Sequence, residues 1–417
     1  MELIHGNIAY SGSCSELAVF DDSYIAVENG RVAGIFSSLP DEYASLPVTD
    51  YGNGIIIPAF TDMHIHAPQY AQRGTGMDLL LPDWLENCTF PEEARFSDTD
   101  YARRVYTLLV EDMIRNGTFH ACVFGSIHTE STRILADIME EHGMRGFVGK
   151  VNMDRSSPEY YCESTDESIY ETEKFISCFD GTAAVKPILT PRFAPTCSWE
   201  LLKGLGKLAA KYGCGMQTHL VESRWEAAEA LRLFPDCSCD AEIYEKVGLM
   251  DNGPTVFAHF IFPTENDIAI AKKHSALTVH CPEATNNIIA GIMPASRLKE
   301  LGIEIASGTD IGAGARNGVY HQIAAGVQIS KLRDFYEPGD SRALSFPEAF
   351  CMASKTGGEL FGDFGSFEKG YVFDALVLDV PVEPESRLTT LDRIERFCYT
   401  GDDRNISARY INGNKID

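Results

Sequence analysis

The stretch IIIPAFTDMHIH, residues 55–66, decides the fold that this sequence predicts. Its apolar run is typical of a fully buried strand, which we expect over residues 55–60. His64 and His66 follow that run directly. Residues two apart on an extended segment point to the same side, so both imidazoles can reach one metal ion. Because such a pair also occurs by chance in strands, the assignment depends on the rest of the chain.

Seven further apolar segments alternate with amphipathic helical stretches. The predicted strands cover residues 119–124, 146–151, 184–189, 215–219, 255–259, 276–280 and 303–307. The predicted helices include residues 101–115, 129–141, 199–212, 224–233 and 264–274. Alternating strands and helices favour a parallel sheet, and eight such units over roughly 250 residues are typical of a (β/α)8 barrel. We therefore predict an α/β fold with a TIM-like, metal-dependent (β/α)8 barrel over residues 55–367.

Both ends of the chain are rich in short strand patterns. Near the start, residues 24–27 and 32–36 flank the hairpin turn signal ENGR, residues 28–31. Near the end, residues 372–379 and 408–414 have the same character. Since neither end is long enough to bury a core alone, we predict one small β-sandwich domain built from residues 1–54 and 368–417.

The composition is that of a soluble globular protein, with 44% apolar residues and a formal net charge of −26. Such an acidic surface repels nucleic acid and anionic membranes, so we expect a small-molecule partner and neither of those. We find no apolar window of the ~18 residues that a membrane span needs, and no secretory signal pattern. The 12 cysteines are scattered, which predicts reduced thiols and a cytoplasmic location.

Histidines and an aspartate recur at the ends of the predicted strands. His64 and His66 follow the first strand, His219 ends the fifth, His259 ends the sixth, and Asp310 follows the eighth. Because the carboxyl ends of barrel strands meet on one face, these side chains can converge. Three imidazoles and a carboxylate suit Zn²⁺ or Fe²⁺ and leave a position for water. Each histidine alone could be structural, whereas the combination indicates a metal site.

Two residues near this set have open roles. Glu222, three residues after His219, could carry protons between water and a substrate. It could equally stabilise the N-terminus of the helix predicted at residues 224–233. His280 also ends a predicted strand, which leaves open whether it lines the same pocket.

At these residues the chain resembles the amidohydrolase superfamily, and within it the guanine deaminase family, over nearly its whole length. The most specific motifs are HAPQY, residues 66–70, and TFPEE, residues 89–93. The motifs NGT (116–118), TPRF (190–193), THLVE (218–222), HCP (280–282) and GTD (308–310) follow in the family's order.

The resemblance implies a site with one metal ion, which is Zn²⁺ or, as the alternative, Fe²⁺. Its ligands would be His64, His66, His219 and Asp310. His259 would hydrogen-bond the water that the metal activates. Relatives with two metals carry a bridging lysine at the end of the fourth strand. Here that strand ends in TPR, residues 190–192, and Lys186 comes too early, which supports a single ion.

The resemblance also implies the reaction, which is hydrolytic deamination of guanine to xanthine and ammonia in purine catabolism. Glu222, Asp310 and His259 would be catalytic. Gln69 and Arg192 can both donate to a carbonyl oxygen such as guanine O6, and Phe193 could pack against the ring. His66 and His219 would border the substrate as well. A homodimer is the assembly implied.

Three alternatives remain open on the sequence. The first is a related deaminase or chlorohydrolase acting on another heterocycle, such as 8-oxoguanine, cytosine or an s-triazine. The second is a hydrolase of cyclic amides, which the absence of the strand-four lysine disfavours. The third is a non-catalytic scaffold, which is disfavoured because the chain keeps the whole set of predicted ligands.

Overall fold

A computed structural model describes residues 1–181, 183–383 and 386–416. Its strands are β1 (Glu2–Ser13), β2 (Glu16–Glu28), β3 (Arg31–Phe36), β4 (Val48–Pro58), β5 (Phe60–His66), β6 (Thr118–Phe124), β7 (Arg145–Gly149), β8 (Val151–Asn152), β9 (Val185–Pro187), β10 (Thr190–Pro191), β11 (Met216–Leu220), β12 (Thr255–His259), β13 (Leu277–His280), β14 (Glu304–Ser307), β15 (Ala375–Leu378), β16 (Ile406–Ile411) and β17 (Asn414–Ile416). Its α-helices are α1 (Leu81–Trp84), α2 (Phe90–Ala94), α3 (Thr99–Arg115), α4 (Thr129–Glu141), α5 (Thr165–Ser177), α6 (Trp199–Tyr212), α7 (Arg224–Leu233), α8 (Asp240–Lys246), α9 (Glu265–Lys273), α10 (Pro282–Asn287), α11 (Ala295–Glu300), α12 (Val319–Tyr336), α13 (Phe346–Ala353), α14 (Lys355–Gly358) and α15 (Thr390–Thr400). In these described ranges, no helix is both long enough and apolar enough to cross a membrane.

Parallel strands form the central part of the fold, which confirms the α/β class. One sheet has the order β5-β6-β7-β9, a second has the order β11-β12-β13-β14, and β8 pairs with β10. A parallel bridge between Leu189 and Met216 joins the end of β9 to the start of β11. On the other side, the backbone N–H of Asp310 donates to the carbonyl of His64 over 2.8 Å. The two four-stranded sheets are therefore linked at both sides through backbone hydrogen bonds.

Both ends of the chain meet in one seven-stranded sheet of order β17-β16-β15-β4-β1-β2-β3. The predicted hairpin is present, since β2 and β3 pair in antiparallel fashion across Asn29 and Gly30. Both turn residues have positive φ, 52° and 75°, as a tight hairpin turn requires. Gly30 also approaches the Asn412 carbonyl so closely that a Cβ would clash with it. Strands from both ends of the chain thus share one sheet.

The prediction of a single strand over residues 55–60 that leads into the histidine pair is wrong. The run of isoleucines ends β4, which pairs with β1 and β15 in the seven-stranded sheet, and the histidine pair lies on the separate strand β5. Ile55 and Ile57 pack in the core with Phe60, whereas Ile56 packs on the opposite face with Ile4. A strand that is buried on both faces has a continuous apolar sequence, as a barrel strand does. The sequence pattern alone therefore could not distinguish β4 from a barrel strand.

One pair of cysteines also departs from the expectation of reduced thiols throughout. Cys14, which follows β1, is disulfide-bonded to Cys351 on α13, with the Cα atoms 5.2 Å apart. The other ten cysteines are free. The two partners are 337 residues apart in sequence, so spacing alone could not pair them.

Candidate active site

The predicted metal-binding side chains come together at the carboxyl ends of the parallel strands. His64 and His66 lie at the end of β5, His219 lies on β11, His259 ends β12, and Asp310 follows β14. All five are buried, and none is more than 8% exposed. Parallel strands bring residues from distant parts of the sequence to one edge of the sheets, as predicted.

Short distances connect these five groups. The Nε2 atoms of His66 and His219 are 3.0 Å apart. The Oδ1 atom of Asp310 lies 3.2 Å from Nε2 of His64 and 3.4 Å from Nε2 of His66. Two overlapping triads have ligand atoms close enough to share an ion, His64 with His66 and His219, and His64 with His259 and Asp310. The second triad includes His259, to which the resemblance gave a role beside the metal rather than on it.

The protonation of these histidines suits metal binding. Nδ1 of His219 lies 2.6 Å from the Arg192 carbonyl, to which it can donate, and this leaves the Nε2 lone pair free. Burial lowers the pKa of both His64 and His219 to about 3, so both rings are neutral. Nε2 of His64 and Nε2 of His259 are buried without a hydrogen-bond partner among the described residues. Neutral imidazoles with unused buried nitrogens are the donors that Zn²⁺ takes.

Asp62 fixes the segment that carries Asp310, and sequence reasoning missed it. Its carboxylate accepts from the Thr309 backbone N–H at 3.0 Å, the Thr309 hydroxyl at 2.5 Å and the His64 N–H at 3.3 Å. These bonds tie β5 to the loop after β14. Asp310 itself has a positive φ of 49°, a strained conformation that such support can hold.

Phe124 is a second residue that the sequence did not single out. Its ring centroid lies 4.9 Å from those of His64 and His219 and 4.8 Å from that of His66. It ends β6, the strand beside β5. Its position at a strand end was therefore the available signal. The Phe124 ring therefore packs against all three imidazoles.

Glu222 lies beside His259, with 3.5 Å between its Oε1 atom and the ring Nε2. Its backbone N–H donates to the Glu226 carboxylate over 2.6 Å, which holds the loop between β11 and α7. Burial raises the pKa of Glu222 well above its usual range, and the charges of Glu226 and Asp310 raise it further. The carboxyl group therefore keeps its proton more strongly than an exposed glutamate does.

A cavity opens next to these groups. It brings together the predicted residues Gln69, Arg192 and Phe193 with Glu222, His259 and Asp310. The other lining residues are His66, Leu81, Trp84, Leu85, His219, Ile288 and Ala313. His64 lies behind this lining, and His280 is not part of it. His280 is instead buried against Gly326 of α12, and burial lowers its pKa to about 4.

Behind the polar wall of the cavity lies Glu93, a residue to which the sequence gave no role. Arg192 forms a two-pronged ion pair with Glu93, and Gln69 donates to the same carboxylate. The neighbouring Glu92 points elsewhere and binds Arg95 and Tyr101. Two adjacent glutamates in TFPEE look alike in the sequence, and only their surroundings separate them.

Comparison with known proteins identifies the family of this chain. The model of the amidohydrolase family matches residues 55–416. A guanine deaminase from Dictyostelium discoideum is 32% identical over 100% of this chain and 98% of its own length. One from Rattus norvegicus is 36% identical over 86% of this chain and 82% of its own. A crystal structure of guanine deaminase from C. acetobutylicum with guanine bound in the active site is 41% identical, with a TM-score of 0.96 and full coverage of both chains.

This chain belongs to the amidohydrolase family, among the guanine deaminases. The two motifs most similar to guanine deaminases lie next to each other at the cavity. HAPQY contributes His66 and Gln69, and TFPEE contributes Glu93 behind Gln69. Lys186, the lysine nearest the end of the fourth parallel segment, is exposed on β9 and lies outside the cavity lining.

Proposed function

We propose that the protein hydrolyses guanine to xanthine and ammonia. The observation that carries this proposal is one cavity in which a buried histidine–aspartate cluster faces an arginine and an amide. The cluster suits activation of water, and the arginine and amide suit a purine carbonyl. The 41% identical structure with guanine bound in its active site supports the same substrate.

We further propose that His64, His66, His219 and Asp310 hold one zinc ion. The Nε2 atoms of His66 and His219 are 3.0 Å apart, and His64 lies close enough to both for the three rings to ligate the same ion. A zinc ion bound here would lower the pKa of water from about 15.7 toward about 7 and so provide a nucleophile at neutral pH.

Removal of the metal is expected to abolish ammonia release and to lower the midpoint of thermal unfolding. A ligand that binds only the folded protein stabilises it by about 2.7 kcal/mol at 100 times its Kd. The measurement is a melting curve and an activity assay after chelation, with and without added Zn²⁺. His64→Asn should show no zinc-dependent rise in the midpoint. Full activity in protein shown by elemental analysis to be metal-free would contradict this proposal.

The proposed chemistry divides the proton transfers between two carboxyl groups. Asp310 would accept a proton from the attacking water, and burial raises its pKa to about 7, which suits an acceptor near neutral pH. Glu222 would protonate the ring nitrogen next to C2 as the oxygen–carbon bond forms. Glu222, now deprotonated, would take the proton of the new C2 hydroxyl group and pass it to the amino group. The C2–N bond would then break, the C2 carbonyl would form, and ammonia would leave. His259, 3.5 Å from Glu222 and 3.8 Å from Asp310, would orient the water between them.

Recognition of guanine is assigned to other residues of the same cavity lining. Arg192 and Gln69 would donate to O6, Phe193 would pack against the ring, and His66 and His219 would border it. Phe193 lies 6.4 Å from the His219 ring, centroid to centroid, so the two flank the same space.

The remaining architecture is proposed on the same basis. We infer a closed (β/α)8 barrel over residues 55–367, supported by the backbone bonds that link the two four-stranded sheets. A β-sandwich from residues 1–54 and 368–417 would include most of the seven-stranded sheet, although β4 itself crosses residue 54. The homodimer and the cytoplasmic location stay predictions of the sequence.

The experiment that tests the function is ammonia release from guanine by zinc-loaded protein, with 8-oxoguanine, adenine and cytosine measured in parallel. We expect release from guanine and not from adenine or cytosine. A site built to hydrogen-bond a substrate group rejects a ring lacking it by ~10⁴–10⁵-fold. Release from one of the other rings, with none from guanine, would overturn the substrate and leave the metal-dependent chemistry in place.

A further inference from the structure

Glu93 is the common partner of both side chains that would recognise the purine carbonyl. Its Oε2 atom accepts from Arg192 over 2.7 Å. Its Oε1 atom accepts from Arg192 over 3.2 Å and from Gln69 over 2.7 Å. Glu93 is 1% exposed and lies on α2, whose Phe90 ring also packs 5.3 Å from the guanidinium of Arg192. One short helix therefore supports the arginine from two directions.

The bonds to Glu93 decide which donors face the cavity. A carboxylate accepts only, so the nitrogen of the Gln69 amide must be the atom that faces Glu93. The amide oxygen in turn accepts from the Gly312 backbone N–H over 3.0 Å. The Gln69 amide is thus held at both ends, with one N–H left for a ligand. Arg192 similarly uses two of its five N–H groups on Glu93, and the described residues form no hydrogen bond with the other three.

The positive charge of Arg192 also requires its contact with Glu93. Arg192 is 3% exposed, and a buried guanidinium requires a counter-ion. Among the described residues, Glu93 is the carboxylate in ion-pair contact with it. The Tyr161 hydroxyl lies nearby, and its pKa is raised first by burial and then by the Glu93 charge. The Glu93 carboxylate therefore lies among several buried polar side chains and not at the protein surface.

We propose that Glu93 is a positioning residue that aligns Arg192 and Gln69 and thereby sets the selectivity of the site for a ring with a carbonyl at the purine 6-position. This inference rests on the proposed function. It assigns Glu93 no contact with the substrate, because its oxygens are already used by the arginine and the amide. Without this alignment, the two donors would no longer converge on one oxygen.

The test compares guanine with 2-aminopurine, which has the same amino group but lacks the 6-oxygen. In Glu93→Gln, we expect kcat/KM for guanine to fall by ~10²-fold, the size expected when a recognition group is misplaced by about 1 Å. We expect kcat/KM for 2-aminopurine to change little. The ratio of the two values is the readout, because a loss of folded protein lowers both values together and leaves the ratio unchanged.

Two further variants complete the comparison. Glu92→Gln changes the adjacent glutamate, which binds Arg95 and Tyr101, and should leave the ratio as in the wild type. Glu93→Asp keeps the charge but is too short to reach both Arg192 and Gln69, so its ratio should also fall. If Glu93→Gln does not fold, Glu93→Asp decides the question. An unchanged ratio in whichever Glu93 variants fold would overturn the inference.

A binding measurement separates this inference from the proposed reaction. Hypoxanthine carries the 6-oxygen and purine does not, and neither has the amino group that is hydrolysed. Calorimetry should show that the wild type prefers hypoxanthine and that Glu93→Gln loses this preference. If the wild type released no ammonia from guanine but showed this pattern, the reaction would be wrong and the role of Glu93 would stand. If the wild type deaminated guanine and the variant kept its preference, only the role of Glu93 would fail.

Discussion

Replacement of Glu222 by glutamine is expected to lower kcat for guanine by ~10²–10⁴-fold, the contribution typical of a positioned acid–base group. The amide has nearly the same shape and can still fill the space beside His259, but it cannot donate and accept protons in turn. Zinc content should not change, because Glu222 is not one of the proposed ligands. The measurements are kcat with guanine and the zinc content of each purified protein.

The pH dependence of kcat provides a second sign of this role. Burial, followed by the charges of Glu226 and Asp310, raises the pKa of Glu222, so the group loses its proton only at a higher pH than an exposed glutamate. A step that requires the protonated form slows as the pH rises through that pKa, and this limb should be absent from the Glu222→Gln profile.

Glu229→Gln is the matched control for Glu222→Gln. Glu229 lies on the adjoining helix α7, where it pairs with Arg232 near the surface, outside the cavity lining. Its replacement should leave both kcat and zinc content unchanged. Near-normal turnover in Glu222→Gln would exclude Glu222 as the proton carrier.

Removal of the Arg192 side chain is expected to have two large effects. The first is a loss in kcat/KM for guanine on the order of 10⁴-fold, because the site loses a donor to the purine carbonyl. The second is a loss of about 3–5 kcal/mol in the free energy of unfolding, because the buried Glu93 carboxyl group loses its ion-pair partner. Steady-state kinetics and denaturant unfolding of Arg192→Ala measure the two effects separately.

A double replacement distinguishes recognition from stability. Removing Arg192 and Glu93 together leaves no unpaired buried charge, so Arg192→Ala/Glu93→Ala should be more stable than Arg192→Ala alone while guanine use stays low. Arg95→Ala, which removes an exposed partner of Glu92, should change neither quantity. Unchanged kcat/KM in Arg192→Ala would refute its part in recognition.

Much of the fold followed from local pattern. The helices predicted over residues 129–141, 199–212 and 224–233 have those bounds in the structure. The apolar periodicity and the terminal residues that define each helix lie close together in the sequence, so local patterns are enough to predict the bounds of these helices. The cluster of histidines followed from one further rule, that parallel strands present their carboxyl ends on the same side.

The errors and omissions share a different origin. The isoleucine run of β4 was assigned to the parallel strands and not to the seven-stranded sheet. A strand that is buried on both faces has the same continuous apolar sequence in either sheet. The Cys14–Cys351 bond joins residues 337 apart, and nothing in their local sequence indicates the pairing.

The sequence by itself determined the fold class, the carboxyl-end cluster of histidines and aspartate, and the set of residues from which a purine site could be built. Only the tertiary structure decided which of two adjacent glutamates faces inward, and that Glu93 binds both Arg192 and Gln69. Periodicity and strand-end position depend on neighbours along the chain, and one sequence therefore suffices to predict them. The partner of a buried charge depends on which distant segments pack against it, and that is settled only when the chain has folded.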